Sequence, residues 1–245
     1  MIDDINIWLL LIIAFAAFVH GSIGFGFPMV ATPILAMFIG LKSAIYFTLI
    51  PTLMINIFSI VLFKESKRVI VKYIPFALLV LLGSIIGTVL LLWINASWFK
   101  LLLAFVILWY LSLDFLKKEF IVVNNLSKFI TILFALFGGL VGGLTNVMAP
   151  ILIIYILIQN YSKKESIIFL NLSFLLGKIS QLAIFILSEE FIASNLLILS
   201  ILVSLLGFYT GNIVKGYINE VFYKKIMKLI LFCIAIVIIL QYFLL

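Results

Sequence analysis

Long apolar tracts are the feature that most constrains this chain. The stretch from 73 to 93 runs for 21 residues without a charged side chain, and similar tracts recur along the 245 residues. About 20 apolar residues are enough for one helix to cross a bilayer. With 67% hydrophobic and 10% charged residues, the chain cannot hide its apolar surface in a soluble core of this size. The sequence therefore predicts an all-α polytopic membrane protein without a soluble domain.

The tracts divide into full-length spans and interrupted regions. Two regions, 5–40 and 127–159, are apolar but broken by glycine, and each is predicted to form two pieces too short to cross comfortably. The order is a broken or re-entrant helix pair followed by three transmembrane helices, twice over. The full-length spans are predicted at 44–63, 73–93, 98–116, 165–187, 194–214 and 222–243.

Residue identities indicate a duplication. In the broken pairs, Gly21 and Gly24 match Gly139 and Gly142 at an offset of 118, and Pro33 matches Pro150 at 117. Later in each half, an offset of 124 aligns five identical residues. A repeat of this kind marks a duplicated structural unit, predicted here as residues 1–121 and 122–245. The set aligned at 124 is Gly83, Gly87, Ile94, Asn95 and Lys100 with Gly207, Gly211, Ile218, Asn219 and Lys224.

Charge places the two halves in opposite orientations. The basic loop "KESKRVIVK" (64–72) corresponds to the acidic "SEEF" (188–191), so the matching loops belong on opposite sides of the membrane. An inverted repeat with both termini outside then puts 13 of the 16 basic residues on the cytoplasmic side of a plasma membrane. The net charge of +7 is thereby explained by anionic lipid rather than by nucleic acid. The residues predicted inside are Lys64, Lys67, Arg68, Lys72, Lys117, Lys118, Lys128, Lys163, Lys164, Lys215, Lys224, Lys225 and Lys228.

The broken pairs predict a binding site. "HGSIGFGFPMVATP" (20–33) and "GGLVGGLTNVMAP" (138–150) interrupt helices at matching places in the two halves, which is the best sequence indication of a transporter's binding site. Non-helical backbone at membrane depth must be buried or face a water-filled cavity. We expect the two tips to meet near the midplane, where the short helices begin, near Met29 and Asn146. Pro28 suits an early helical position and Asn146 an N-cap. Two helix N-termini favour an anion.

At these residues the chain resembles the sulfite exporter TauE/SafE family of membrane permeases. The resemblance depends on Gly21-x-x-Gly24-x-Gly26 with Pro33-Ile34-Leu35, and on Gly139-x-x-Gly142-Gly143 with Pro150-Ile151-Leu152. It implies transport of a sulfur-containing anion such as sulfite, sulfoacetate or a related organosulfonate. In the second half, Thr145-Asn146-Val147-Met148 replaces a more glycine-rich run.

Lys178 is the most informative polar residue. It lies 13 residues after Glu165 and 11 before Glu189, hence near the bilayer centre, where a charge costs about 2.5–3.5 kcal/mol on insertion scales. Either it attracts an anion, with a further possibility of proton coupling, or it is a structural lysine bonded to backbone carbonyls. Asn171 and Gln181 share its helix face. The matching helix of the first half carries Thr48, Thr52, Asn56 and Ser59, with Asn56 opposite Lys178 at an offset of 122.

Most of the remaining candidate residues lie at or next to the two breaks. His20 is a proton relay or substrate contact, or a histidine whose hydrogen bonds are simply satisfied. Gly24 and Gly26 are tip residues, and Ser22, Thr145 and Asn146 are tip ligands or caps. The glycine pairs of the later helices are predicted to be packing positions.

These features define the function classes. The predicted function is a secondary permease for a small anion, with an anion channel or the membrane-embedded binding subunit of a larger system as alternatives. No nucleophile–base pair or H-E-x-x-H motif is present in the sequence, so no enzyme is expected. No cofactor or metal is predicted. The expected partners are the small anion, the lipid bilayer and protons as a candidate coupling ion, with no nucleic acid; the sequence does not specify the oligomeric state.

Overall fold

The fold is known from a computed structural model that describes residues 4–62, 67–94, 97–115, 126–188 and 195–215, and short pieces within 229–243. Between residues 4 and 215, these ranges contain nine α-helices and no strand. The helices are α1 Asp4–Ile23, α2 Phe27–Ile39, α3 Leu41–Leu62, α4 Lys67–Trp93, α5 Ser97–Phe115, α6 Lys128–Thr145, α7 Ala149–Ile158, α8 Lys163–Leu187 and α9 Asn195–Val214.

The predicted all-α membrane architecture is confirmed. Helices α3, α4, α5, α8 and α9 match five of the predicted spans to within a few residues. By length and composition, five helices of the described chain could cross a membrane, namely α3, α4, α6, α8 and α9. The loop residues 189–190 and most of the last predicted span, with Cys233, lie outside the described residues.

The interrupted regions differ from the prediction in where they break. We expected two short pieces in each, but α1 has 20 residues and α6 has 18, while only α2 (13 residues) and α7 (10 residues) are short. The glycines at 21, 139 and 142 do not end a helix. An added Cβ at Gly139 would lie 2.1 Å from the carbonyl oxygen of Val80, so this glycine allows close helix packing.

The two breaks have the same local geometry. Each break is three residues long, at 24–26 and at 146–148. The next helices, α3 and α8, begin at 41 and 163. The start of the break, its end and the start of the next helix therefore all repeat at an offset of 122. The first residue of each break has a positive φ, +95° at Gly24 and +67° at Asn146. The helix starts thus align at 122, and not at the 117–118 of the sequence match: Pro150 is the second residue of α7 as Pro28 is of α2, whereas Pro33 lies inside α2.

Helices α4 and α6 pack closely and run in the same direction. Position 83 of α4 approaches the backbone at 136, and position 87 approaches it at 140. Helices α1 and α9 pack in the same way, since Gly207 and Gly211 approach Ala14 and Phe18 in turn. Each glycine pair is therefore a packing position, as predicted, and each binds the long first helix of the other half.

Helices α3 and α8 run in opposite directions. Tyr46 near the start of α3 packs against Phe185 near the end of α8, with ring centroids 6.3 Å apart. Ser59 near the end of α3 bonds to His20, whose ring lies beside Asn171 in the first half of α8. Predicted counterparts in the two halves are thus antiparallel where they touch.

The start of α8 is fixed to α4 at a polar edge. Ser162 and Glu165 form a capping box, and Glu165 also accepts a hydrogen bond from the Tyr73 hydroxyl at 3.1 Å and pairs with Lys72 at 3.4 Å. Burial raises the pKa of the Tyr161 hydroxyl, which keeps this group neutral. Below the polar edge, aromatic rings pack together and cover the far end of α7: Tyr73, Phe76, Tyr155, Tyr161 and Phe169.

Candidate anion-binding site

One small cavity brings the two helix breaks together. Gly26, Pro28 and Met29 line it from the start of α2, and Asn146 to Ala149 line it from the second break and the start of α7. Phe174 and Lys178 of α8 complete the lining. Residues of both breaks thus line one cavity, whereas Gly24 packs against Ile167 and Gly142 against Met148.

Both short helices point their N-termini at this cavity. The first bond within α2 runs from the Val30 amide to Gly26, and the first within α7 from the Leu152 amide to Met148. The amides before them have no partner within the helix, and the helix dipole adds positive potential at these ends. The second residue of each helix is proline, which has no N–H to leave unsatisfied. Such ends bind anions readily.

Lys178 brings its side-chain amine to the same place. Its side chain is 1% exposed, and its ammonium donates to the amide oxygens of Asn146 and, at 2.5 Å, of Gln181. Gln181 in turn donates from Nε2 to the carbonyl oxygen of Gly143 at 3.0 Å, which ties the lysine to the last turn of α6. The predicted neighbours on one face of α8 thus include one direct partner of the lysine, Gln181.

Asn146 links four helices. Its Nδ2 donates to Thr32 of α2 at 2.6 Å and to Thr48 of α3 at 2.8 Å, while its Oδ1 accepts from Lys178 of α8. The predicted N-cap role is wrong. Asn146 is the C-cap of α6 with left-handed backbone, and Met148 is the N-cap of α7. Asparagine tolerates the left-handed backbone that this position requires, and unlike glycine it has a side chain that can bond to other helices.

The described residues place no carboxylate against this site. Glu165 is the one carboxylate whose side chain the structure describes, and it pairs with Lys72. Among the described residues, Lys178 bonds only to neutral amide oxygens, and it lies beside two positive helix ends. A buried charge without a counter-charge is costly, and an anion in this position would lower that cost.

Other predicted residues hold the first break rather than line the cavity. Asn171 donates to the carbonyl oxygen of Gly24 at 2.7 Å and to that of Ile167 at 2.8 Å. The Nδ1 atom of His20 accepts from the Phe27 amide at 3.3 Å, and its Nε2 lies 3.0 Å from the Ser59 hydroxyl.

Three predicted residues bond to nearby backbone. Ser22 donates to Phe18, Thr52 donates to Thr48, and Thr145 donates to the carbonyl oxygen of Val141. None of them lines the cavity. Asn56 is buried, and neither its Nδ2 nor its Oδ1 finds a hydrogen-bond partner among the described atoms.

Sequence reasoning missed part of the site. Thr32 and Thr48 bind Asn146, and Phe174 and Met148 line the cavity. Thr48 lies on the predicted polar face of its helix, and Thr32 is a polar residue in an apolar stretch, one turn after Pro28. No sequence signal distinguishes Phe174 from the other apolar residues of α8.

The cavity is small in this conformation. Its volume is about 10 Å³, which is room for roughly one water molecule. An oxyanion with four or more heavy atoms therefore needs the lining to move apart, and Met148 and Phe174 are the apolar side chains in its way.

The fold is that of an all-helical integral membrane protein with two interrupted helical regions that meet at one cavity. The sequence profile of the family described as Sulfite exporter TauE/SafE matches residues 9–238, and the chain belongs to that family. Membership implies a membrane permease for sulfite or a related sulfur-containing anion, and a transporter rather than an enzyme. No curated protein and no solved structure matches the chain.

Proposed function

We propose that this chain is a secondary permease that moves a small sulfur-containing anion, such as sulfite or an organosulfonate, by alternating access. One observation carries the proposal: the starts of α2 and α7 and the Lys178 side chain line the same buried cavity. Three positive groups meet there, and the described part of the chain offers no carboxylate to them.

The predicted residues divide by distance from the anion. Lys178, Gly26 and Asn146 contact it, and Gln181 orients the lysine. Asn171 and Gly24 fix the first break, while Thr52 and Asn56 lie on the buried polar face of α3. Ser22 and Thr145 hold backbone.

The helix packing supports the proposal of alternating access. Helices α4, α6 and α8 share one direction, since α4 and α8 touch in rising order at Tyr73–Glu165 and Ser84–Gly177. Helix α3 opposes α8. These directions and the common offset of 122 support the predicted inverted repeat, with both termini outside the plasma membrane. Inverted halves can exchange conformations, which opens a fixed central site to either side.

Topology has a direct test. Reporter fusions after Leu62 and after Leu187 should report the cytoplasm and the outside respectively. Two fusions on the same side would contradict the inverted arrangement.

Transport is tested with the purified chain in liposomes. Labelled sulfite, thiosulfate, sulfate and organosulfonates are offered one at a time, and uptake and counterflow are measured. A secondary permease shows saturable uptake and is stimulated by unlabelled anion on the far side. An anion channel conducts without counterflow, and a binding subunit of a larger system does neither; either result overturns the proposal.

A further inference from the structure

His20 joins the end of α1 to the first residue of α2. Its ring is fully buried, and its Nδ1 accepts a hydrogen bond from the Phe27 amide at 3.3 Å. Because Nδ1 is the acceptor, the neutral ring carries its hydrogen on Nε2, which donates to the Ser59 hydroxyl oxygen at 3.0 Å. The histidine thus occupies the first amide of α2, which lies between the cavity-lining residues Gly26 and Pro28.

A second proton on this ring would change the start of α2. It must bind the lone pair of Nδ1, which is the atom that accepts from Phe27. Two N–H groups would then face each other at the positive end of a helix, and the Phe27 hydrogen bond would break. The freed amide hydrogen would be available to a ligand in the cavity.

The surroundings of His20 contain an acceptor but no charge. Asn171 of α8 lies beside the ring, and its Oδ1 is buried without a hydrogen-bond partner among the described atoms. Phe208 of α9 meets the ring edge-on with centroids 5.8 Å apart, and Ser59 faces it from α3. No side chain that the structure places against this ring is titratable or charged. The unpartnered Asn171 oxygen can accept the additional N–H, whereas the charge remains uncompensated.

We propose that His20 is the proton-binding site of the permease and that its proton is coupled to anion binding at the start of α2. The inference rests on the proposed transport function and names its coupling ion. A proton from water binds Nδ1, the Phe27 amide turns to the anion, and the anion supplies the missing negative charge. On release of the anion the proton returns to water and the Phe27–Nδ1 bond forms again.

The sign of the coupling follows from linkage. Each ligand strengthens the binding of the other, because the coupling free energy is reciprocal. The proton and the anion are therefore bound together and cross the membrane in the same direction. One proton carried with a divalent anion moves one net negative charge. An inside-negative potential drives that charge outward by about 2.3 kcal/mol per 100 mV, which is compatible with export.

Accumulation under a pH gradient in proteoliposomes tests the coupling. The probes are thiosulfate and methanesulfonate, which do not titrate near neutral pH, with sulfite as the reference. For one coupled proton, wild-type accumulation should change about tenfold for each unit of pH gradient. In His20→Asn the amide oxygen replaces Nδ1 as the acceptor for Phe27 but cannot be protonated, so counterflow should remain while accumulation no longer follows the pH gradient.

Controls separate coupling from folding and from transport itself. Ser59→Ala removes the Nε2 partner and leaves Nδ1 intact, so it should stay coupled, and His20→Gln provides a second non-titrating variant if His20→Asn does not fold. Wild-type counterflow without any response to the pH gradient overturns the proton site but leaves the permease intact. Normal coupling in His20→Asn or His20→Gln also overturns it. Absence of counterflow in the wild type overturns the proposed function as well.

Discussion

The two helix breaks share a backbone design and differ in chemistry. In each, the first residue of the break has a positive φ and donates its amide to a carbonyl four residues earlier, from Gly24 to His20 at 2.6 Å and from Asn146 to Gly142 at 2.9 Å. The first break is then held by neutral groups and a histidine, whereas the second is held by an asparagine that bonds to Lys178.

This difference separates two tasks. A glycine break leaves the backbone carbonyl and amide to be bound by other helices, and a titratable ring can compete for that amide. At the second break, the Asn146 side chain itself reaches across the site and bonds to Lys178. We infer that the second break positions the anion-binding charge and that the first break senses the proton.

Close packing beneath both breaks should be the most sensitive feature. A Cβ at Gly139 would lie 2.1 Å from Val80 O, and one at Gly21 would lie 2.1 Å from Phe208 O, both backbone atoms that cannot give way. We expect Gly139→Ala and Gly21→Ala to destabilise the protein by more than the roughly 1–3 kcal/mol typical of overpacking. Thermal unfolding in detergent measures this.

The adjacent glycine provides the control for that experiment. At Gly138 the nearest atom to an added Cβ is a side-chain carbon of Leu152 at 3.1 Å, which can move. Gly138→Ala should therefore remain close to wild type. Equal stability of Gly138→Ala and Gly139→Ala would show that the α4–α6 packing does not depend on glycine.

Removing the charge at the second break should abolish or greatly weaken transport. A charge-assisted hydrogen bond contributes about 1.5–3 kcal/mol, so Lys178→Met should weaken anion affinity by roughly 10- to 100-fold. Methionine has similar length and removes the cost of burying a charge, so the variant should fold. Saturation of counterflow measures the affinity.

Two companion variants give this result its meaning. Lys178→Arg should retain partial binding, and Lys128→Met removes an equal charge from the exposed start of α6 and should transport normally. If Lys178→Met transports like the wild type, the lysine is structural and the anion must be held by the helix ends and polar side chains alone.

Exchanging the break residues tests whether the two designs are equivalent. Asn146→Gly gives the second break the residue type of the first, keeps the positive φ and removes the bonds to Thr32, Thr48 and Lys178. We expect the free energy of unfolding to fall by about 1–3 kcal/mol because of the unpaired groups, together with weaker transport.

The first break can be changed in a comparable way. Gly24→Ala should lower the free energy of unfolding by about 1–2 kcal/mol because of its left-handed backbone, and the added Cβ would also lie 2.9 Å from Ile167. An unchanged melting temperature in Asn146→Gly would contradict the bridging role.

The smallest effects are expected at the hydroxyl groups near the tips. Ser22 donates to Phe18 at 2.8 Å and to Gly211 at 3.3 Å, and it does not line the cavity. Ser22→Ala should therefore leave anion affinity unchanged and cost about 0.5–1.5 kcal/mol of stability. A clear loss of affinity in Ser22→Ala would restore this hydroxyl to the binding site.

Much of the fold and part of the site could be predicted from the sequence. Hydropathy and length determined the helices, because a span must bury its backbone hydrogen bonds and present about 20 apolar residues to lipid. Lys178 was found for the same reason, since a charge at mid-span is costly wherever the helix packs. Glycine and proline at matching places indicated the breaks.

Only the tertiary structure showed how the two breaks align and which residues the polar side chains contact. Gly21 and Gly139 were expected to interrupt their helices, yet they remain helical because neighbouring backbones pack against them. Pro150 takes the same position in α7 as Pro28 takes in α2, and only the observed helix starts show this. Asn146 reaches Thr32, 114 residues away, and Asn171 reaches Gly24, 147 residues away. A sequence pattern reports the local period of a helix, whereas such contacts depend on how helices distant in the chain are placed side by side.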